Sequence, residues 1–195
     1  VYEKFTERLV EAARSLKITS SENPAAYLGP VVDEEAYTRL MNTIASAETQ
    51  HKILYKASAP LNSLDGYYVP LTIIGDVKAQ DAMAQNEFFG PLLALIKATD
   101  LNHAIEIANS TEYALTGGLF SRSPANIEKV KNELEVGNMY INRGITGAMV
   151  DRHPFGGFKM SGIGSKTGGP DYLRQFMEPI VVTENMMRRG FAPEE

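Results

Sequence analysis

The chain has 195 residues, with 19 Lys and Arg against 24 Asp and Glu, a formal charge of −5 at neutral pH. An apolar fraction of 44% with nine Tyr and eight Phe supports packed cores and excludes global disorder, while net acidity argues against a dedicated nucleic-acid binder, which needs a basic face. The absence of cysteine excludes a disulfide framework, a thiolate zinc site and any cysteine nucleophile carried by these residues.

The opening Val1-Tyr2-Glu3-Lys4 carries charge where a secretory signal needs an apolar core, and no apolar run approaches a membrane span. The reading is a cytoplasmic protein, and the chain opens inside a helical pattern, as a cut end would. Over residues 1–17, Phe5, Leu9, Ala12, Ala13 and Leu16 recur at steps of three and four, predicting an amphipathic helix. A loop with Asn23-Pro24 and Gly29-Pro30 follows. Asp33 is an N-cap, with Glu34 and Glu35 in the first turn of a second helix that buries Tyr37, Leu40, Met41 and Ile44. After a turn at Asp65-Gly66, Tyr67 to Ile74 reads as a strand, with Pro70 pushing it toward an edge or a bulge.

From residue 91 strands and helices alternate. Leu92 to Ile96 is a short apolar strand, Asp100 caps a helix, and Gly117 to Phe120 is a second strand. Ser123-Pro124 opens another helix that Gly137 ends, and Asn138 to Asn142 is a third strand. Short strands separated by helices indicate βαβ units, so the class is α/β with a parallel sheet. Pro170 to Met177 reads as a helix and Pro179 to Thr183 as a terminal apolar strand, whose edge calls for a partner.

Residues 137–169 hold nine of the sixteen glycines, interleaved with Arg143, Arg152, Lys159 and Lys166. Such a loop is either an anion site, where bare amides approach an oxyanion, or a long surface connection. Neither phosphate motif fits it: Ser165 stands where a P-loop needs glycine, and Thr167 fills the sixth place after Gly162-x-Gly164. His51, His103 and His153 show no metal-ligand spacing. Glu87-Phe88-Phe89-Gly90-Pro91 places a carboxylate, two aromatics and a turn before a strand. It is open to two readings, a diol acceptor beside a flat ring or an acidic turn with a core phenylalanine.

That last segment resembles the E-x-F-G-P motif of the aldehyde dehydrogenase superfamily. Gly137-Asn138-Met139-Tyr140-Ile141-Asn142 and Pro154-Phe155-Gly156-Gly157-Phe158-Lys159-Met160-Ser161-Gly162 resemble the family's late catalytic signature in the same order. Asn142-Arg143-Gly144-Ile145-Thr146-Gly147-Ala148 and Ser165 to Leu173 are similar to the branch that oxidises L-glutamate γ-semialdehyde, the Δ1-pyrroline-5-carboxylate dehydrogenases. The resemblance implies an α/β catalytic domain with a mostly parallel sheet flanked by helices, of which residues 1–177 are the C-terminal part. Residues 178–195 would form an oligomerisation strand and tail, and the Rossmann domain would lie upstream. It further implies oxidation of the semialdehyde, formed from Δ1-pyrroline-5-carboxylate, to L-glutamate with NAD in proline catabolism. The implied partners are a small-molecule substrate, further copies of the chain and a fused or separate proline dehydrogenase.

Residue by residue, the resemblance makes Glu87 the acceptor of the ribose hydroxyls beside the nicotinamide and Phe89 a neighbour of that ring. Gly147 and Ala148 would lend backbone amides to the substrate's α-carboxylate, and Phe155 would pack on its aliphatic chain. Arg143 and Arg152 would add a favourable field or stand as structural surface residues, and His153 replaces an expected uncharged side chain. The family's chemistry needs a cysteine thiolate to attack the aldehyde and a glutamate base to hydrolyse the thioester. These 195 residues contain no cysteine, so the chain alone is expected to be inactive. The alternative is a non-catalytic domain of the same fold that serves structure or oligomerisation; a cysteine coded shortly before the first helix would favour the enzyme.

Overall fold

The computed structural model describes residues 1–58, 66–145, 149 and 152–186. It divides into two units, Val1–Glu112 with Glu128–Leu134, and Tyr113–Ile127 with Glu135–Glu195.

In the first unit, Asp33 is extended and its carboxylate accepts from the Ala36 amide at 2.8 Å, starting helix α2 (Glu34–Gln50) where the cap and its acidic first turn predict. Leu40, Ile44 and Ala47 form the buried stripe of α2. Strand β1 (Lys52–Lys56) follows directly and pairs antiparallel with β2 (Thr72–Gly75), which pairs in parallel with β3 (Leu92–Ala94). The sequence reading omits β1, because three apolar residues between two lysines carry too little pattern. It also places β2 too early, and of its two alternatives, an edge or a bulge, the edge fails while the register against β1 does shift between Ile53 and Tyr55. β2 is the buried middle strand and begins at Thr72, beyond Pro70, so the imide without N–H withdraws no ladder bond.

Helix α1 (Tyr2–Arg14) forms, but its buried stripe is rotated from the expected one. Phe5 is 53% exposed and Ala12 is exposed, whereas Ala13 is buried and Tyr2, Thr6, Leu9 and Val10 are half-buried. That face is pinned by Lys97, which lies 5.5 Å from the Tyr2 ring centre and 3.1 Å from the Glu3 carboxylate. A short helix α3 (Ala82–Gln85) precedes β3, and α4 (Leu101–Asn109) starts on Asp100, whose carboxylate accepts from the His103 amide at 3.0 Å. This bond holds the Asp100 carboxyl below its ordinary pKa.

In the second unit, β4 (Tyr113–Ala114) pairs antiparallel with β7 (Phe158–Lys159), and β5 (Thr116–Leu119) pairs in parallel with β6 (Asn138–Ile141). Helix α5 (Pro124–Glu133), which from Glu128 onward belongs to the first unit, connects β5 to β6 and opens on Ser123, whose hydroxyl accepts from Asn126 at 3.3 Å. It ends at Glu133, so Gly137 serves as the entry to β6 rather than as the helix stop. The expected helix over 170–177 is a single 3₁₀ turn, Leu173–Phe176. Gly168-Gly169-Pro170 and Pro179 leave too few residues between them to offset helix nucleation. Residues 179–183 form no ladder among the described residues, and Ile180, Val181 and Val182 are exposed. Among the described residues no helix is long and apolar enough to cross a membrane.

Candidate functional site

The turn carrying Glu87 and Phe89 is built on the apolar core of the first unit. Leu40 (fully buried), Ile44 and Val69 make that core, and Phe88 and Leu92 pack against it from either side of the turn. Gly90 passes so close over Leu40 that a Cβ there would collide with the leucine side chain. Arg39, the neighbour of Leu40 on α2, donates from Nη1 to the Phe88 carbonyl at 2.7 Å. With Phe88 inward and Gly90 pressed on Leu40, the chain turns through a left-handed conformation at Phe89, φ 50°, and pushes that ring outward to 79% exposure. A bulky residue at positive φ is strained, and such strain survives only where neighbours enforce it. Glu87 is exposed, with no hydrogen bond or ion pair among the described residues. Its neighbours Asn86 and Phe88 line a cleft of about 930 Å³ along α2, together with Thr38, Arg39, Asn42 and Ser46. The result is a free carboxylate and a presented aromatic face, fixed to one helix at the lip of a cleft.

Phe155 lies in the second unit and is held by backbone. Its amide donates to the Thr167 carbonyl at 2.9 Å and its carbonyl accepts from the Thr167 amide at 3.0 Å. Asn138, the first residue of β6, straddles Phe155 by bonding the residues on either side of it. Its Nδ2 donates to the Pro154 carbonyl at 2.8 Å, and its Oδ1 accepts from the Gly156 amide at 3.2 Å. Gly137 abuts Gly156 and Gly157 so tightly that a Cβ would strike the Gly156 carbonyl oxygen. The Lys166 ammonium donates to the Gly137 carbonyl and, at 2.7 Å, to the Gly156 carbonyl, with the Phe158 ring 5.1 Å away. Burial lowers the Lys166 pKa. A cavity of about 300 Å³ borders this clamp, lined by Asn138, Tyr140, Arg143, His153, Pro154 and Lys166.

At the far end of β6, Asn142 adopts φ 55° while its side chain exchanges two hydrogen bonds with the Ser121 backbone, at 2.8 and 2.9 Å. The strand is thereby extended by a side chain while the main chain turns away toward residue 143. Gly147 and Ala148 lie outside the described residues. Arg143 sits 5.2 Å from the Tyr140 ring centre, Arg152 is exposed, and His153 is exposed and bonds back to Met149 through its backbone.

Glu87 and Phe89 thus share one turn of the first unit, and Phe155 belongs to the second. Arg39, Asn138 and Lys166 escape the sequence reading as site-building residues. Arg39 looks like any solvated helix residue. Asn138 and Lys166 act on carbonyls and amides distant in sequence, which no local pattern announces. Among the described residues no group of three or more His, Asp or Glu could hold a metal ion.

Residues 1–182 match the aldehyde dehydrogenase family. The chain is 44% identical over 184 residues to 1-pyrroline-5-carboxylate dehydrogenase 1 of Halalkalibacterium halodurans, covering 94% of the chain and 35% of that enzyme. The chain therefore spans about a third of the length of the curated relatives it matches. Among solved structures it superposes on proline utilization A (PutA) of Bdellovibrio bacteriovorus, inactivated by N-propargylglycine, with TM-score 0.92 and 66% identity, covering 100% of the chain and 20% of PutA. It also superposes on 1-pyrroline-5-carboxylate dehydrogenase from Thermus with bound NAD, with TM-score 0.79 and 38% identity, over 91% of the chain and 34% of that enzyme. The family match takes in both the turn that carries Glu87 and the segment around Phe155 and extends over residues 1–182, and the chain belongs to the aldehyde dehydrogenase family.

Proposed function

We propose that this chain is the C-terminal part of the catalytic domain of an NAD-dependent L-glutamate γ-semialdehyde dehydrogenase. The observation that carries the reading is the free Glu87 carboxylate beside the outward Phe89 ring on a turn locked to α2. A vicinal diol offers two O–H donors to one carboxylate, and a flat ring packs on an exposed aromatic face. The carboxylate acceptor and ring face of this turn therefore fit the nicotinamide ribose, and the cleft along α2 has room for a nucleotide. When bound, NAD supplies the two-electron acceptor for aldehyde oxidation.

The chain's own residues act by placement. Glu87 accepts the ribose hydroxyls, and Arg39 holds the Phe88 carbonyl so that the carboxylate keeps its position. Phe155 gives an apolar wall to the substrate's methylenes. Gly147 and Ala148 offer amides to its carboxylate, a role that small residues suit because nothing shields their N–H groups. The thiol that attacks the aldehyde comes from outside these residues, which contain no cysteine. Residues 178–195 supply an oligomerisation strand, which the exposed Ile180, Val181 and Val182 support. The likeness to PutA supports a parent protein joined to proline dehydrogenase.

The test is NADH formation by the full parent protein with glutamate semialdehyde against short neutral aldehydes. Preference for the semialdehyde is expected, and Glu87→Gln should raise the KM for NAD about ten-fold, the equivalent of one charge-assisted hydrogen bond. The 195-residue chain alone should give no turnover. Equal rates on neutral aldehydes would overturn the substrate assignment, and an unchanged KM for NAD in Glu87→Gln would overturn the cofactor assignment.

A further inference from the structure

We propose that Lys166 is the positioning residue that sets Phe155, acting as a cationic staple between the entry of β6 and the substrate-facing segment. The inference rests on the assignment of Phe155 to the substrate wall. Its geometry stands independently of that assignment.

Three backbone segments meet at this point. Gly137 leads into β6, Gly156 follows Phe155, and Lys166 precedes Thr167, the residue that exchanges both backbone hydrogen bonds with Phe155. The Lys166 ammonium joins the first two segments by donating to the Gly137 and Gly156 carbonyls, while its own backbone carries the third. One side chain therefore closes the triangle that fixes where the Phe155 ring stands. Two further observations favour a dedicated role over incidental packing. No carboxylate lies within ion-pair distance of Lys166 among the described residues, so the charge is stabilised by carbonyl dipoles and by the Phe158 ring face. And the close approach of Gly137 to Gly156 brings both carbonyls within reach of one ammonium, an arrangement a side chain at Gly137 would spoil. A half-buried ammonium without a counter-ion is costly unless its donors are used, and here two of the three are used on backbone.

A positioning residue differs from a general fold clamp in what its loss changes. Displacing Phe155 by even a fraction of an ångström weakens binding of the acid-bearing aldehyde but leaves cofactor binding alone. The experiment uses the full parent protein with Lys166→Met, which keeps the apolar stem and removes the donors, and Lys166→Arg, which restores donors. Lys166→Met should raise the KM for glutamate semialdehyde about ten-fold, with kcat changed less than about three-fold and the KM for NAD unchanged; Lys166→Arg should recover at least half of that loss on a logarithmic scale. Hydrogen exchange read at the Phe155 and Thr167 amides should accelerate in Lys166→Met and return toward the parent rate in Lys166→Arg. If Lys166→Met does not fold, Lys166→Gln, which keeps one donor arm, should fall between the parent and an unfolded chain in the same exchange readout.

Unchanged exchange at Phe155 and Thr167 would overturn the staple whatever the substrate proves to be. Faster exchange in a parent protein that does not oxidise the semialdehyde would keep the staple and overturn the substrate assignment. Equal loss of activity toward semialdehyde and neutral aldehydes, or an equal rise in both KM values, would make Lys166 a general clamp and overturn the positioning role.

Discussion

The two units hold their site residues by opposite means. In the first, the Glu87–Phe89 turn rests on side chains, with Leu40 under Gly90, Phe88 against the Leu40, Ile44 and Val69 cluster, and Arg39 on a carbonyl. In the second, Phe155 is held by backbone bonds to Thr167 and by Asn138 and Lys166 reaching carbonyls and an amide. The difference follows from core size. Among the described residues the only buried apolar side chains of the second unit are Ala114 and Tyr140, whereas the first unit buries Leu40, Ile44, Val69, Ile73, Ile74 and others. Where apolar burial is available it fixes a turn without directional bonds. Where it is scarce, close backbone approach at glycine and charge-assisted bonds take over, and geometry then depends on a few individual groups.

The sharpest way to break this comparison is a pair of substitutions in the full parent protein. Leu40→Ala should cost about 4 kcal/mol through the cavity it leaves, and Gly137→Ala about 3 kcal/mol because its methyl group meets a backbone carbonyl that cannot rotate away. Chemical denaturation measures both. The KM shifts should separate the two units: Leu40→Ala should act on NAD and Gly137→Ala on the aldehyde, and a shared shift would merge the two holding modes into one. A smaller effect tests the frame of the first turn. Asp33→Ala should cost about 1 kcal/mol by uncapping α2, with activity retained at low temperature, since Leu40 and Arg39 lie more than one turn into the helix.

The smallest effect concerns Lys166 in the alkaline range. Burial lowers its pKa below 10.5 in the folded chain. Between that lowered value and 10.5 the unfolded chain binds more protons than the folded one, so this group makes stability rise with pH across the window. The rise should be missing from Lys166→Met when the two denaturation curves are subtracted. A difference curve that stays flat or falls would mean that burial does not weaken this ammonium.

Several elements were legible from local chemistry. Asp33 and Asp100 start helices where a short acidic side chain meets a helical stripe, because a cap and its amide are only three residues apart. The parallel pairing of β5 with β6 followed from strand–helix–strand order. Elements whose stability depends on distant partners were misread. β1 has too few apolar residues to announce itself, β2 takes its place from both neighbours, and the stripe of α1 is set by what it packs on rather than by its own most apolar face. Glu87, Phe89 and Phe155 enter as candidates through the resemblance to ordered family motifs. The strain at Phe89 and the freedom of Glu87 were not, because no local rule predicts a bulky residue at positive φ.

By itself, the sequence determined the starts of α2, α4 and α5, the α/β class, the family motifs and the lack of a cysteine thiol among these residues, all of which depend on residue identity or on spacings of a few positions. Only the tertiary structure decided which strand is central, how tightly Gly90 and Gly137 are approached, and that Arg39, Asn138 and Lys166 hold the candidate site. Those outcomes depend on groups 10 or more residues apart meeting at hydrogen-bond or contact distance, and such meetings are set by the packing of whole elements rather than by any local pattern.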